Sequence, residues 1–273
     1  MKKIIAGCII LLALAAFKQR EIKWVAIGDS ITYLNDHLEE TGHRVSKGYL
    51  TRVTEQLPFV HARNKGYNGW TSAGIAQNFD SLHIPYADVY TIFLGTNDWW
   101  QGRPVGTIED YKTNTGNNTI YGSFRIIVDR LRAINNKARI LLITPMKRTD
   151  FVYLFNMKNN AWGSYKEKNG QTLAAVAAAI RNIGKQEQLG VIDLYNDPEL
   201  PESKLVKFKR LRNPATGNYQ NYRYPEFETI PFDPGKDEYP YPKEAIGLTF
   251  DGLHPSDKGN AIIAQRIIAQ LKK

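Results

Sequence analysis

Five short apolar runs, each ending in a loop, constrain this chain more than any other feature. Residues 22–27 lead into Gly28-Asp29-Ser30, and residues 59–63 into the loop 64–69. Residues 89–94 lead into Gly95-Thr96-Asn97, residues 139–144 into Pro145, and residues 190–194 into Asn196-Asp197-Pro198. The runs are rich in Val and Ile and do not alternate cleanly, as parallel strands buried on both faces read. Helical patterns fall between them at 45–57, 124–134, 173–186 and 261–271. In the second, Ile127, Leu131 and Ile134 share one stripe. The last has Ser256 as its expected N-cap. Strand and helix alternate, which predicts an α/β chain: a three-layer α/β/α sandwich around a parallel sheet of five strands. Sites in such sheets lie beyond the carboxyl ends of the strands, where the first loops fall.

Two stretches break the alternation. Residues 146–170 are polar and aromatic, and residues 197–247 are dense in Tyr, Phe and Pro. Within the second, residues 205–212 and 219–224 flank Asn213-Pro214-Ala215-Thr216-Gly217, which reads as a β-hairpin with a glycine-closed turn. Both stretches are expected as insertions at the rim of a site in one domain spanning 22–273. A chain of 273 residues can bury a sizeable core without covalent staples.

The N-terminus has the form of an export signal. Lys2 and Lys3 precede the apolar run 4–17, which is shorter than the roughly 20 residues of a spanning helix. Ala13-Leu14-Ala15 fits small-residue cleavage, after Ala15 or Ala16. Residues 1–16 are therefore expected to be a signal peptide, and the mature protein to be exported, periplasmic or secreted, with no transmembrane segment. Ile5-Ala6-Gly7-Cys8 resembles a lipoprotein cleavage box, but the apolar run follows Cys8 instead of preceding it, which disfavours a lipid anchor. Cys8 is the only cysteine. Its loss with the leader excludes disulfides, thiolate metal sites and a cysteine nucleophile. The net charge of +9 becomes +7 without Lys2 and Lys3. A basic surface could attract an acidic polysaccharide. Lys204, Lys207, Lys209, Arg210 and Arg212 are the densest basic group, with solvent as their simplest destination. No nucleic-acid motif of the usual kinds is present.

Four segments carry chemistry when taken in order. Ser30 follows a buried strand directly, so its hydroxyl should stand at the sheet's carboxyl edge, where it needs a base to become a nucleophile. His254 is the candidate base. Asp251 lies three residues earlier in Asp251-Gly252-Leu253-His254-Pro255, close enough for a tight loop to bring its carboxylate onto the imidazole and fix the tautomer. Gly69, in Asn68-Gly69-Trp70, lets the backbone approach a substrate oxygen. Asn97, in Gly95-Thr96-Asn97-Asp98, offers an aimed neutral amide donor. The α/β-hydrolase elbow Gly-x-Ser-x-Gly is absent, because Thr32 occupies its second glycine position. His37, His43, His61 and His83 lack metal-ligand spacing. No His-Glu-x-x-His, phosphate loop or dinucleotide fingerprint occurs.

The ordered set Ser30, Gly69, Asn97 and Asp251/His254 closely resembles the SGNH hydrolases, also called GDSL esterases. The resemblance runs from about residue 22 to the C-terminus and is weak across the two insertions. It implies a flavodoxin-like sandwich, no metal and no organic cofactor. It also implies that Ser30 attacks, that His254 serves as base and then acid, and that Asp251 orients it. The Ser30 and Gly69 N–H groups and the Asn97 amide would form the oxyanion hole.

Trp70, Trp99 and Trp100 adjoin the oxyanion candidates and are expected as substrate-binding aromatic faces, suited to sugar rings. An exported, basic, aromatic-rimmed member of this family looks most like an esterase that removes O-acetyl groups from carbohydrate. A lipase or thioesterase acting on longer acyl chains is the alternative. A third reading is a catalytically silent carbohydrate-binding module.

Overall fold

The computed structural model describes residues 20–273. The signal peptide expected at 1–16 and Cys8 lie outside those residues. In chain order the strands are β1 (Ile22–Gly28), β2 (Val60–Gly66), β3 (Val89–Phe93), β4 (Arg139–Ile143), β5 (Phe151–Tyr153), β6 (Asn156–Ala161), β7 (Gly190–Ile192), β8 (Lys209–Arg212) and β9 (Tyr219–Tyr222). The helices are α1 (Ser30–Tyr33), α2 (Tyr49–Gln56), α3 (Ser72–Gln77), α4 (Thr96–Trp100), α5 (Ile108–Thr113), α6 (Ile120–Ile134), α7 (Leu173–Glu187) and α8 (Asp257–Leu271).

The main sheet is parallel throughout, in the order β2-β1-β3-β4-β7. Its strands alternate between two cores, since successive side chains of a strand point to opposite faces. Val25, Ile27, Tyr90, Ile92, Ile140 and Leu142 face the layer built from α3, α6 and α7. Trp24, Ala26, Val89, Phe93, Leu141 and Ile143 face α2 and α8. Both layers exclude water, which is why the strands read as continuous apolar runs. The chain turns opposite ways from β1 and β3, so the strand order switches between them. Ser30 follows the first and Asn97 the second, at the position where α/β sheets place their ligands.

Three of the expected helices differ mainly at their beginnings. α2 starts four residues late, because Gly48 is its cap and residues before it are not helical. α6 and α8 start earlier, at Ile120 and Asp257, behind the N-caps Thr119 and Ser256, whose side chains accept from the N–H groups of Gly122 and Gly259. Insertion 197–247 contains the expected hairpin, β8 antiparallel to β9, over fewer residues than the pattern suggested. Insertion 146–170 holds a second antiparallel hairpin, β5 with β6, that the sequence pattern did not indicate. No helix among the described residues is long and apolar enough to cross a membrane.

Candidate active site

Ser30 opens α1 immediately after β1. Asp29 caps that helix, its carboxylate accepting from the Ile31 N–H at 3.0 Å. Gly28 is required before it: a Cβ there would stand 2.0 Å from the Thr32 hydroxyl oxygen. Ser30 is thereby held nearly buried at the sheet edge, with 7% of its surface exposed.

The Ser30 hydroxyl lies 2.8 Å from His254 Nε2, and His254 Nδ1 lies 2.7 Å from Asp251 Oδ2. The other Asp251 oxygen accepts from the N–H groups of Leu253 and His254, at 3.1 and 2.8 Å. A carboxylate fixed by two backbone donors holds the Nδ1–H tautomer, which leaves Nε2 free to accept the serine proton. Phe151 meets the His254 ring edge-on at 5.4 Å, and Phe250 stacks near it at 5.8 Å. These rings wall two sides of the imidazole, which keeps 7% of the His254 surface exposed toward the cavity. The Asp251–His254 loop is tied to the first insertion: the Thr149 N–H donates to Gly252 O at 3.0 Å, and the Val152 N–H to Asp251 O at 3.2 Å.

The two other candidate donors are joined through α4. The Asn97 amide donates to Trp70 O at 3.0 Å, and the Gln101 amide to Gly69 O at 3.0 Å. Between them, the Asp98 carboxylate accepts from the Ser72 N–H at 2.9 Å and the Ser72 hydroxyl at 2.6 Å. Two side chains of α4 and that of Gln101, its C-cap, thus pin the turn that carries Gly69. Gly69 itself has φ +76° and open space where a Cβ would point, so its N–H side can be approached closely.

A cavity of about 120 Å³ opens beside Ser30 and His254, walled by Leu34, Phe151, Tyr153 and Phe250. Burial pushes the Asp29 carboxyl up to about 6, against the Ile31 N–H and the nearby imidazole, which favour its ionised form. Burial likewise raises Asp98, opposed by its Ser72 donors.

A family model for the GDSL-like lipase/acylhydrolase family matches residues 26–262. The chain belongs to that family. Its members are carboxylic ester hydrolases, and this GDSL chain is one. It is 61% identical to a protein described as a possible lipase from Chitinophaga pinensis, with 92% of this chain and 98% of that one covered and a TM-score of 0.91. The fold is shared at lower identity. An acetyl xylan esterase is 17% identical, over 92% of this chain and 100% of that one, with a TM-score of 0.54. An acetyl-xylooligosaccharide esterase from Geobacillus is 17% identical, over 93% and 95%, with a TM-score of 0.52. No curated protein is significantly similar to the chain.

The aromatic expectations need correction. Trp99 is fully buried, its indole N–H donating to Gln171 O at 3.1 Å, and cannot offer a face to substrate. Its ring packs against the guanidinium of the buried Arg148. Trp100 is half-buried against Trp162 at 4.7 Å, with Lys168 Nζ over its ring. Trp70 is half-buried on Tyr67 and lines an open groove with Tyr33, His37 and Asn68. The basic group of the second insertion also differs from expectation. Lys209 is buried and paired with Asp150 at 2.5 Å, while Arg210 and Arg212 pair with Glu238 and Asp237. His37 does come together with Glu39 and Glu40, their polar atoms lying within 4.8 Å of one another. Tyr33 accounts for that grouping, stacking on His37 and donating to Glu40.

Sequence reasoning assigned no role to Asp29, Asp98, Gln101 or Phe151. The first two stood inside the quoted motifs, where adjacency to Ser30 and Asn97 was the available signal. Gln101 and Phe151 carried none.

Proposed function

We propose that the protein is a serine esterase that removes O-acetyl groups from carbohydrate through an acyl-enzyme. The hydrogen-bonded line from Ser30 through His254 to Asp251 is the observation that carries this reading. Ser30 Oγ attacks the ester carbonyl carbon while His254 Nε2 takes the hydroxyl proton. The carbonyl oxygen becomes an oxyanion, held by the Ser30 and Gly69 N–H groups and the Asn97 amide. Trp70 O uses one of the two amide hydrogens of Asn97, which leaves one for the oxyanion. The intermediate then collapses, the C–O bond to the sugar breaks, and His254 returns the proton to the departing hydroxyl. Water then attacks the acyl-enzyme carbonyl carbon as His254 takes its proton, the bond to Ser30 Oγ breaks, and His254 returns that proton to Ser30 Oγ as acetate leaves.

The acetyl preference is supported by the size of the cavity at Ser30, about 120 Å³, against the ~300–1,000 Å³ of pockets for larger ligands. The carbohydrate preference is supported by the aromatic and polar insertions around the site. A lipolytic reading is favoured by the likeness to the possible lipase from Chitinophaga pinensis. Rates on p-nitrophenyl acetate and octanoate, with acetate release from acetylated polysaccharide, separate the two. The proposal expects acetate release and a steep fall from acetyl to octanoyl. Comparable or faster octanoyl turnover would reject it.

Export by residues 1–16 is part of the same proposal. Secreted material whose chain starts at Ala16 or Phe17 is expected, and an intact Met1 in exported protein would refute the cleavage.

A further inference from the structure

We infer that the cavity between the two insertions is a binding subsite for a neutral sugar ring of the chain that bears the ester. The inference rests on the carbohydrate-esterase reading above and deepens it.

The cavity encloses about 350 Å³, at the lower end of ligand-pocket sizes and enough for a sugar ring or two. The β5–β6 hairpin forms one side and residues 228–232 of the second insertion form the other. Its place relative to the chemistry is set by Phe151. That residue lines both this cavity and the smaller one at Ser30, with its ring edge on His254 at 5.4 Å. Phe151 is thus the residue the two cavities have in common.

The lining points to a neutral, hydroxyl-rich ligand. Lys209 is buried beneath the cavity, but Asp150 neutralises it at 2.5 Å. Asp150 also accepts from the Tyr165 hydroxyl and the Gly163 N–H, both at 2.7 Å, so this floor is internally satisfied. Glu228 differs. Its half-buried carboxylate lines the cavity and has no hydrogen-bond or ion-pair partner among the described residues. Burial, with Glu202 and Asp150 nearby, pushes its pKa up. A carboxylate in that position can accept hydrogen bonds from two sugar hydroxyls. Lys166, the cation of the lining without an ion-pair partner among the described residues, stands over the Trp162 and Tyr165 rings, so Asp150 and Glu228 balance Lys166 and Lys209 and the lining carries no net charge. Phe151, Ile230 and Phe232 supply apolar walls for the C–H face of such a ring.

The test titrates neutral β-linked trisaccharides (xylotriose, cellotriose and mannotriose, without ester) into wild-type protein and into Glu228→Gln and Thr229→Trp, by calorimetry. Thr229 is exposed at the cavity wall, so the tryptophan fills the space without entering the core. Hydrolysis of p-nitrophenyl acetate and acetate release from acetylated xylotriose are measured alongside. At least one trisaccharide should bind the wild type, about tenfold more weakly in Glu228→Gln, as loss of a charged hydrogen bond gives. Thr229→Trp should abolish binding, and p-nitrophenyl acetate should be turned over equally by all three. No binding to wild type, or equal binding to all three, would overturn the subsite. Acetate release reports separately on the proposed function: a wild type that binds sugar and hydrolyses only long-chain esters would keep the subsite and reject the deacetylase.

Discussion

Gly252 packs so tightly under the Asp150 carbonyl that a Cβ on it would stand 1.9 Å from that oxygen. The glycine also sits at φ +91°, where other residues are strained. This contact lets the loop between Asp251 and His254 lie flat against the first insertion. Gly252→Ala must push the two backbones apart. It should cost about 2–4 kcal/mol of stability, read as a lowered denaturant midpoint, and should lower kcat in the protein that remains folded. An unchanged midpoint would mean the loop is free of the insertion.

Asn97 is half-buried with one amide hydrogen already committed to Trp70 O. Asn97→Ala removes the second donor from the developing oxyanion. It should lower kcat by about 10²–10³-fold with little change in KM. A loss confined to KM would place Asn97 in ground-state binding instead.

Asp251 fixes the imidazole by accepting from Nδ1. In Asp251→Asn the amide can donate to that nitrogen and select the opposite tautomer, with Nε2 protonated toward Ser30. A fall in kcat of about 10⁴-fold is expected, with the fold kept, as for such changes in other triads.

Burial raises Asp29 from 3.8 to about 6, so the folded protein binds this proton more tightly than the unfolded chain does. Ionising Asp29 therefore costs the folded state on the order of 3 kcal/mol above pH 6, and the cost fades as pH falls toward 3.8. Asp29→Asn keeps an oxygen for the Ile31 N–H and removes the charge. It should stabilise the protein at pH 8 and match wild type near pH 4 in denaturant melts. A difference that does not vary with pH would show that Asp29 is not held near neutrality.

The parallel sheet was legible because burial on both faces leaves continuous apolar runs such as 89–94, whose fate does not depend on distant partners. Ser30, Asn97, Asp251 and His254 were legible because their chemistry resides in short contiguous motifs. The β5–β6 hairpin was hidden because Asn156–Ala161 is mostly polar and exposed, with no apolar period to mark it. The helices α1, α3 and α4 have four to six residues, too few for periodicity to register. Trp99 read as a surface platform because its burial depends on Gln171 and Arg148, far along the chain. Lys209 read as solvated because its partner, Asp150, is 59 residues away. What escaped notice was set by contacts between the insertions and the core.

The most direct test of the account is the turnover of p-nitrophenyl acetate by wild type and Ser30→Ala, measured side by side with folding confirmed by circular dichroism. The Ser30–His254–Asp251 line predicts a loss of about 10⁴-fold or more in kcat with the fold intact. A folded Ser30→Ala protein that keeps the wild-type rate would contradict the assignment of Ser30 as nucleophile.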